Sequence, residues 1–364
     1  MIIHEIAITL VRGIGDITTK SLISYCGSAE EVFKTRKSLL EKIPGIGAKT
    51  AASIAEKNTF DRAEAELNFI EKHKIKPLFF TDKDYPKRLN NCYDSPAMLY
   101  FKGNADLNNQ KVVAIVGTRN ASNYGKVFCD KLVSGLKKHG LLVASGLAYG
   151  IDIAAHKAAL NANVATVGVL GHGLDRIYPN LHRTYAEKML DEGGLLTEFT
   201  SQTNFDPSNF PKRNRIIAGM ADVVIVVEAA KTGGALITAE IANSYNKDIF
   251  AVPGRLDDEF SEGCNFLLKT NRANLLTRVE DIEYLMGWFD HQPLKRKAQQ
   301  TLFLNLNAEE QKIFDLIKHS GAIAFDDLQA QLDFTQSKLA MTLLNLEMQS
   351  VIISLPGKVY RLNE

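Results

Sequence analysis

The residues best placed to do chemistry are Gly117, Thr118 and Arg119, which directly follow the apolar run 112–116 (VVAIV). Small residues after a buried strand allow a ligand to approach the backbone, and a guanidinium can donate two parallel hydrogen bonds to a phosphate. Ligands of open α/β sheets lie beyond the carboxyl ends of the strands, where free N–H groups at helix N-termini favour anions. We therefore predict an anion site here. For the tripeptide alone, a tight strand-to-helix turn without a ligand is the alternative.

Further turns follow other apolar runs in the same way. One begins with Ser145 and Gly146, and another contains Gly233 and Gly234, and we expect these four residues to contact phosphates. The segment 209–215 (NFPKRNR) places three cations and no anion at a helix start. Cations there oppose the helix dipole, so we expect a negatively charged ligand, with a solvated basic turn as the alternative. The ligand contacts expected from this segment are Lys212, Arg213, Asn214 and Arg215.

Aromatic residues accompany these cations. We assign base stacking to Tyr149 and Phe210, with core packing or loop anchoring as the alternative for each ring. Phosphate binding by Arg119 and Lys212, combined with base stacking, predicts that the chain binds single-stranded nucleic acid and tolerates any base sequence. With about three phosphates neutralised, the logarithm of the affinity should fall with the logarithm of salt concentration at a slope of roughly −2.

The elements that position these turns are six apolar runs that alternate with helical stretches. The runs are 112–116, 141–144, 164–170, 195–199, 223–227 and 249–252. This alternation predicts an α/β fold with an extended Rossmann-like, doubly wound and mostly parallel sheet, here over residues 111–288. Residues 76–110 are predicted to form a connecting lobe packed on this core. Residues 289–307, which include adjacent Lys295, Arg296 and Lys297, have the composition of a linker.

Residues 1–75 are predicted to form an all-α domain with an internal repeat, VRGIG from Val11 and IPGIG from Ile43. The second copy has the helix-hairpin-helix pattern, whose turn amides can hold one backbone phosphate. A helical packing module is the alternative. The phrase GAKT is not a P-loop, because Ala48 replaces the required glycine and no strand precedes it. The predicted secondary DNA contacts are Gly45, Gly47, Lys49 and Thr50.

Residues 308–364 show three helical stretches and then a strand pair that turns at Pro356 and Gly357. This is the winged-helix order. The third helix carries Lys338 as its only basic residue and also Glu347, which is a poor electrostatic footprint for duplex DNA. A protein-contact or stabilising role is therefore the favoured hypothesis for this domain.

Composition limits the remaining classes. The 364 residues are 45% apolar with a formal net charge of +1, so the chain is folded and any affinity for nucleic acid must come from local patches. The start has no basic leader and no window approaches a membrane span, which predicts a cytoplasmic protein without membrane contact. Cys26, Cys92, Cys129 and Cys264 are far apart, as expected of reduced packing thiols. His172 and His182 lack metal-ligand spacing, so no metal or cofactor is expected.

Six phrases within residues 111–280 together resemble the DNA-processing protein A (DprA, also called Smf) family of bacterial DNA transformation. They are AIVGTR, SGLAYGIDIAAH, TVGVLGHGLDRIYP, FPKRNRIIAG, VVIVVEAAKTGGALITAEIA and FAVPG. The resemblance implies a protein without catalysis that binds single-stranded DNA, dimerises, helps load the RecA recombinase and displaces single-strand-binding protein. The DNA-pocket positions that it implies are Gly117, Thr118, Arg119, Gly146, Lys212, Arg213 and Asn214, with Gly233 and Gly234 nearby.

The chain departs from this pattern in one turn. Where many relatives read Ser-Gly-Ser, it has Gly233, Gly234 and Ala235. The hydroxyls that could donate to a phosphate are absent from the turn, while its backbone N–H groups remain.

The competing hypothesis is a nucleotide-processing enzyme similar to the phosphoribohydrolases, with Glu240 as the catalytic carboxylate. The loop departs from the Pro-Gly-Gly-x-Gly-Thr phrase of those enzymes, because Lys231 and Thr232 replace the proline region and Ala235 and Leu236 replace x-Gly. Another candidate is Asp152 with His156, four residues apart on one helix face, which could act as an acid and a base. An Asp that caps the helix is the alternative.

Overall fold

The structure is a computed structural model that describes residues 2–288, 306–349, 351–355 and 357–363. The chain divides into two compact units, residues 1–289 and 290–364. Of the predicted linker 289–307, all residues except 306 and 307 lie outside the described ranges.

A nine-stranded sheet forms the centre of the first unit, with the strand order β1-β2-β6-β5-β4-β3-β7-β8-β9. The strands from β6 to β9 in this order are parallel to their neighbours, while β2 is antiparallel to both β1 and β6. The predicted Rossmann-like sheet is therefore confirmed, and the segment 76–110 extends it by two strands. The strands are β1 (Lys76–Phe79), β2 (Met98–Gly103), β3 (Val112–Val116), β4 (Leu142–Gly146), β5 (Thr166–Val169), β6 (Gly194–Thr197), β7 (Val223–Val226), β8 (Asp248–Ala251) and β9 (Asn274–Leu275).

Strand β3 shows why the sequence forms a sheet that is covered on both faces. Its alternate residues Val112, Ala114 and Val116 belong to one hydrophobic core, while Val113 and Ile115 belong to another. A strand buried on both faces needs a continuous apolar run, which is what the sequence has. The helices of this part are α7 (Lys87–Asn90), α8 (Asn123–Leu136), α9 (Ile151–Ala162), α10 (Arg183–Glu192), α11 (Asn209–Met220), α12 (Gly234–Ser244), α13 (Glu262–Lys269) and α14 (Val279–Met286).

The strand order reverses at β3. Strands β4, β5 and β6 extend the sheet on one side of β3, and β7, β8 and β9 extend it on the other. The loops that leave the carboxyl ends of β3 and β7 therefore diverge, and a crevice opens between them. This is the topological switch point at which open α/β sheets bind their ligands.

The N-terminal region consists of helices that pack on the β1–β2 side of the sheet, and their core includes Phe79, Met98 and Tyr100. Both copies of the repeat form turns between helices. Gly13 and Gly45 adopt φ values of +86° and +83°, which only glycine tolerates readily. The helices are α1 (Ile2–Thr9), α2 (Asp16–Cys26), α3 (Ala29–Lys34), α4 (Lys37–Leu40), α5 (Ala48–Glu56) and α6 (Phe60–His73).

The second unit has the predicted order of three helices followed by an antiparallel strand pair. A short strand, β10, completes a three-stranded sheet in the order β10-β12-β11. Pro356 of the predicted turn lies outside the described residues, and Gly357 has a φ of +89°. The elements are α15 (Ala308–Ser320), β10 (Ala322–Ala324), α16 (Phe325–Gln331), α17 (Gln336–Met348), β11 (Ile352–Leu355) and β12 (Val359–Leu362).

Candidate nucleic-acid interface at the sheet edge

An open cleft of about 620 Å³ lies at the switch point, over the carboxyl ends of β3 and β7. Its walls include the loop after β3, the start of α11 and the start of α12. The structure therefore brings together turns that are more than 100 residues apart in the sequence. The predicted residues that line the cleft are Gly117, Thr118, Arg119, Phe210, Arg213, Asn214, Gly233 and Gly234.

Backbone hydrogen bonds lock the loop after β3 in place. The amide of Thr118 donates to the carbonyl of Glu228 over 2.7 Å, and the amide of Ile151 donates to the carbonyl of Thr118 over 3.1 Å. A side chain at Gly117 would overlap Ile151, so the close approach requires glycine. The loops after β3 and β7 and the start of α9 consequently form one fixed frame beneath Arg119.

The N-terminus of α8, which follows this loop, is occupied by the protein itself. The buried carboxylate of Glu228 accepts hydrogen bonds from the backbone amide (2.9 Å) and the hydroxyl of Ser122, and this hydroxyl in turn caps the amide of Gly125. A carboxylate at this position already neutralises the helix dipole. The anion site expected after β3 therefore depends on the Arg119 side chain and not on the amides of α8.

The N-terminus of α12 is open instead. Its first residues, Gly233 and Gly234, are exposed, no side chain caps it, and its first turn holds no acidic residue. Asn214 donates to the carbonyl of Gly234 over 3.3 Å and so holds this turn beside α11. Free amide groups at a helix N-terminus bind anions, and here they face the cleft.

Arg119 and Lys212 are the exposed basic residues among the predicted contacts of this region. Both side chains are exposed, and neither forms an ion pair with a described residue. The Arg119 guanidinium lies 5.8 Å from the ring centroid of Phe210, within cation–π range. Lys212 projects from the first turn of α11, outside the lining of the cleft.

Arg213 is part of the protein interior. It is 5% exposed, and Nη1 donates to the carbonyl of Val169 over 2.5 Å. Burial lowers the pKa of Arg213, while the carboxylate of Asp152 acts in the opposite direction. A side chain at Gly146 would overlap the guanidinium and Asp152, so this glycine makes space for the pair. Within the described residues Arg213 Nε has no hydrogen-bond partner, although its side chain lines the cleft.

Ser145 and Arg215 do not reach the cleft, which corrects their prediction as ligand contacts. Ser145 is fully buried, and its hydroxyl donates to the carbonyl of Ile115 over 2.6 Å. Arg215 points toward the N-terminal helices, where it pairs with Glu198 and, over 3.2 Å, with Asp16. One is inaccessible and the charge of the other is already neutralised, so neither can bind a phosphate.

An aromatic wall lies along one side of the cleft and consists of Tyr178, Phe205 and Phe210. The ring centroids of Tyr178 and Phe205 are 4.8 Å apart, and those of Phe205 and Phe210 are 5.6 Å apart. Tyr178 and Phe205 are each 46% exposed, as a stacking surface requires. Sequence reasoning found only Phe210, although the Tyr178-Pro179 step in a loop after a strand was an available signal. Tyr149, 45% exposed, does not line the cleft and lies against His182 in an adjoining groove.

Asp152 and His156 do not form an acid–base pair. His156 is fully buried, with Nδ1 2.7 Å from the hydroxyl of Thr166 and Nε2 2.7 Å from the carbonyl of Gly146. Burial lowers the pKa of His156 to about 4, so the ring is neutral near pH 7. Both ring nitrogens serve the core and neither is available to a substrate.

The residue on which the enzyme hypothesis depends also lies elsewhere. The side chain of Glu240 is 65% exposed on α12, pairs with Arg272 over 2.9 Å and does not line the cleft. Among the described residues, no group of three His, Cys, Asp or Glu side chains could hold a metal ion. The cleft therefore offers phosphate and ring contacts, and its one carboxylate, Asp152, is buried beside Arg213.

The second hairpin of the N-terminal region presents its turn to solvent. Gly45, Gly47 and Lys49 are exposed and Thr50 is half-buried. Gly47 begins α5 without a side-chain cap, so the first amides of that helix are free. This turn does not line the cleft.

The fold and the cleft define a Rossmann-like protein with an open cleft at its switch point and a second, winged-helix unit. The family described as DNA recombination-mediator protein A matches residues 76–287, and the DprA winged helix domain matches residues 297–358. The chain belongs to this family.

Two relatives illustrate the match. The chain is 36% identical to Protein Smf of Synechocystis over 75% of its own length and 70% of the relative. It is 35% identical to DNA processing protein DprA of Streptococcus pneumoniae over 73% of its length and 93% of the relative.

Two solved structures share the fold. The X-ray structure of DprA from S. pneumoniae superimposes with a TM-score of 0.69 at 33% identity, covering 78% of this chain and 98% of that one. DprA from Helicobacter pylori, whose structure is described as revealing a single-stranded DNA binding mode, superimposes with a TM-score of 0.54 at 30% identity, covering 59% and 97%. Among the described residues, no helix is both long and apolar enough to span a bilayer.

Proposed function

We propose that this protein binds single-stranded DNA in the sheet-edge cleft without sequence preference. The observation that carries the proposal is the convergence of the unpaired Arg119 guanidinium, an open helix N-terminus and exposed aromatic rings at one switch point. Cations and free amides hold phosphates, and ring faces stack on bases of any identity. The bases of a duplex are stacked on each other and cannot use these rings, so the site selects single strands.

Each side chain has a distinct part in this proposal. Arg119 is the principal phosphate ligand, because its guanidinium is exposed, unpaired and braced by Phe210. Lys212 binds a second phosphate at the rim, and the amides of the Gly233–Gly234 turn bind a third. Tyr178 and Phe205 stack on the bases. Phe210 also stacks on a base with the part of its ring that Arg119 does not cover.

The second hairpin supplies a secondary contact to the same strand or to an adjoining duplex. Its exposed turn, Gly45 to Gly47, offers backbone amides to one phosphate, and Lys49 and Thr50 add side-chain donors. One phosphate contact contributes little affinity, so this site tethers DNA and does not determine selectivity.

The cellular role that we infer is protection of incoming DNA during natural transformation and recombination. As a homodimer in the cytoplasm, the protein hands the strand to the RecA recombinase and displaces single-strand-binding protein. It needs no cofactor or metal and performs no catalysis. Membership of the DNA recombination-mediator protein A family supports this role, and the surface position of Glu240 supports the absence of a phosphoribohydrolase reaction.

Fluorescence anisotropy of a labelled oligothymidine and a matched duplex, at two salt concentrations, tests the binding. Arg119→Ala should weaken single-strand binding about 10- to 100-fold, since hydrogen bonds to charged groups contribute about 1.5–3 kcal/mol. Lys188→Ala is the matched control, because Lys188 is an exposed cation on α10 outside the cleft. Failure to bind at low salt, or equal affinity for the duplex, would overturn the proposal. Nucleotide hydrolysis by the wild type and Glu240→Gln would then be measured next.

A further inference from the structure

A second groove of about 450 Å³ adjoins the cleft, between the starts of α8 and α9. Arg119 lines both cavities. A small slot connects the two cavities. It shares Arg119, Tyr178 and Phe210 with the cleft, and Arg119 and Tyr149 with the groove. The guanidinium of Arg119 therefore lies on the ridge where the two cavities meet.

The groove is positively charged beyond Arg119. Lys126 projects into it from α8 and Lys157 from α9. Neither lysine forms an ion pair with a described residue, and Lys157 Nζ lies 4.5 Å from the ring centroid of Tyr185, which restrains it. The acidic residue of the lining is Asp130, so three cations face one carboxylate. The groove thus attracts anions, as the cleft does.

An exposed ring and amide side chains complete the lining. The ring of Tyr149 is held edge-on against His182 with centroids 5.0 Å apart, and 45% of the residue remains exposed. Asn120 and Asn161 place side-chain amides along the same groove. A braced ring beside unpaired lysines is the combination that binds unpaired nucleotides, and amides add adaptable hydrogen bonds.

We propose that this groove is a second single-strand subsite, which takes the nucleotides that leave the cleft across Arg119. Lys126 and Lys157 each bind one phosphate, and Tyr149 stacks on the base at the ridge. The occupant is a continuation of the strand in the cleft and not a separate ligand, because the two cavities share Arg119 and have the same charge. The inference rests on the proposed function, since it requires a strand in the cleft.

Anisotropy with oligothymidines of two lengths tests it: one of about 5 nucleotides, enough to reach the three phosphate contacts proposed for the cleft, and one of about 20. The Lys126→Gln/Lys157→Gln variant removes both charges and keeps a polar side chain at each position. It should bind the short oligomer within twofold of wild type and the long oligomer about 5- to 20-fold more weakly. The salt slope for the long oligomer should become shallower by about 1.4, since each phosphate on a single strand contributes about 0.7.

The matched control is Lys131→Gln/Lys188→Gln, which removes two exposed charges outside the groove and should change neither affinity. An equal loss of affinity for both oligomers would show that the lysines act only through the overall positive charge of the protein. An unchanged affinity for the long oligomer would show that the strand does not enter the groove. Either result would overturn the proposal of a second subsite. If wild type binds the short oligomer and Arg119→Ala abolishes that binding, the proposed function stands whatever the groove does. If wild type binds neither length, the proposed function fails and this inference fails with it.

Discussion

Helix α11 uses Lys212 and Arg215 in opposite ways, although residues three apart lie on the same face of a helix. Lys212, in the first turn, is exposed and forms no ion pair with a described residue. Toward the N-terminal helices, Arg215 is 14% exposed and is held by Glu198, Asp16 and the carbonyl of Asp94. The four-residue run KRNR therefore contains both an exposed charge, for which we propose DNA binding, and a structural one.

Replacement of Arg215 tests most directly whether this arginine is structural while Lys212 binds DNA. Arg215→Ala removes the hydrogen bonds to the Glu198 carboxylate and to the Asp94 carbonyl, and each hydrogen bond to a charged group contributes about 1.5–3 kcal/mol. Chemical denaturation should show a loss of that size in the free energy of unfolding. Binding of oligothymidine under native conditions should stay within twofold of wild type. Lys212→Ala is the control, and it should weaken binding without changing stability. A stable Arg215→Ala protein that no longer binds would contradict the structural role assigned to Arg215.

The pH dependence of stability examines the structural side alone. Burial raises the pKa of Glu198 to about 7, against the attraction of Arg215, and within the described residues its Oε1 has no hydrogen-bond partner. Below its unfolded pKa of about 4.5 the group is protonated in both states, whereas above about 7 it is ionised in both. Between these values the folded state binds the proton more strongly, so stability falls as pH rises.

The measurement is the difference in unfolding free energy between wild type and Glu198→Gln as a function of pH. This difference should decrease by up to about 3 kcal/mol from pH 4.5 to pH 7 and be flat outside that window. An increase with pH would mean that the ion pair with Arg215 outweighs burial. The single-strand affinity of the variant should equal that of wild type, because Glu198 does not line the cleft.

The aromatic wall sharpens the cleft side of the comparison. Phe205 is 46% exposed, and stacking of one base on such a ring contributes about 1–3 kcal/mol. Phe205→Ala should therefore weaken oligothymidine binding about 10-fold with little change in thermal stability. Tyr25→Ala removes a ring that is 62% exposed on α2, away from the cleft, and is the control. Equal binding by both variants would show that Phe205 does not touch DNA.

Much of this division could be predicted from the sequence, and part of it could not. The buried strands could be predicted from continuous apolar runs, and the turns from the glycines that follow them. Both patterns depend on requirements that residues close in sequence must meet. The sequence did not separate Lys212 from Arg215, because the carboxylate partner Asp16 lies 199 residues away. For the same reason it missed Tyr178 and Phe205, whose rings meet only in the folded protein.

The two Gly-Ile-Gly hairpins also differ in whether they contact the protein core or face solvent. After the first turn Asp16 accepts from the amide of Ala97 over 2.8 Å and pairs with Arg215, so this copy docks on the core. After the second turn the corresponding residue is Ala48, which is followed by exposed Lys49. The two hairpins thus differ at the position after the turn, where one has a residue that contacts the core and the other has an exposed alanine.

Exchanging that residue gives the smallest expected effect. Ala48→Asp places a carboxylate among the free amides of α5, where it would occupy the anion site and repel a phosphate. Affinity for a long oligothymidine should fall two- to threefold and the salt slope should become shallower by about 0.7, the share of one phosphate. A short oligomer confined to the cleft should bind as to wild type. Ala48→Asn adds a side chain of the same shape without the charge and so separates the two causes. A full loss with Asn would assign the effect to occupied amides. Binding unchanged by either variant would leave the second hairpin a packing module like the first.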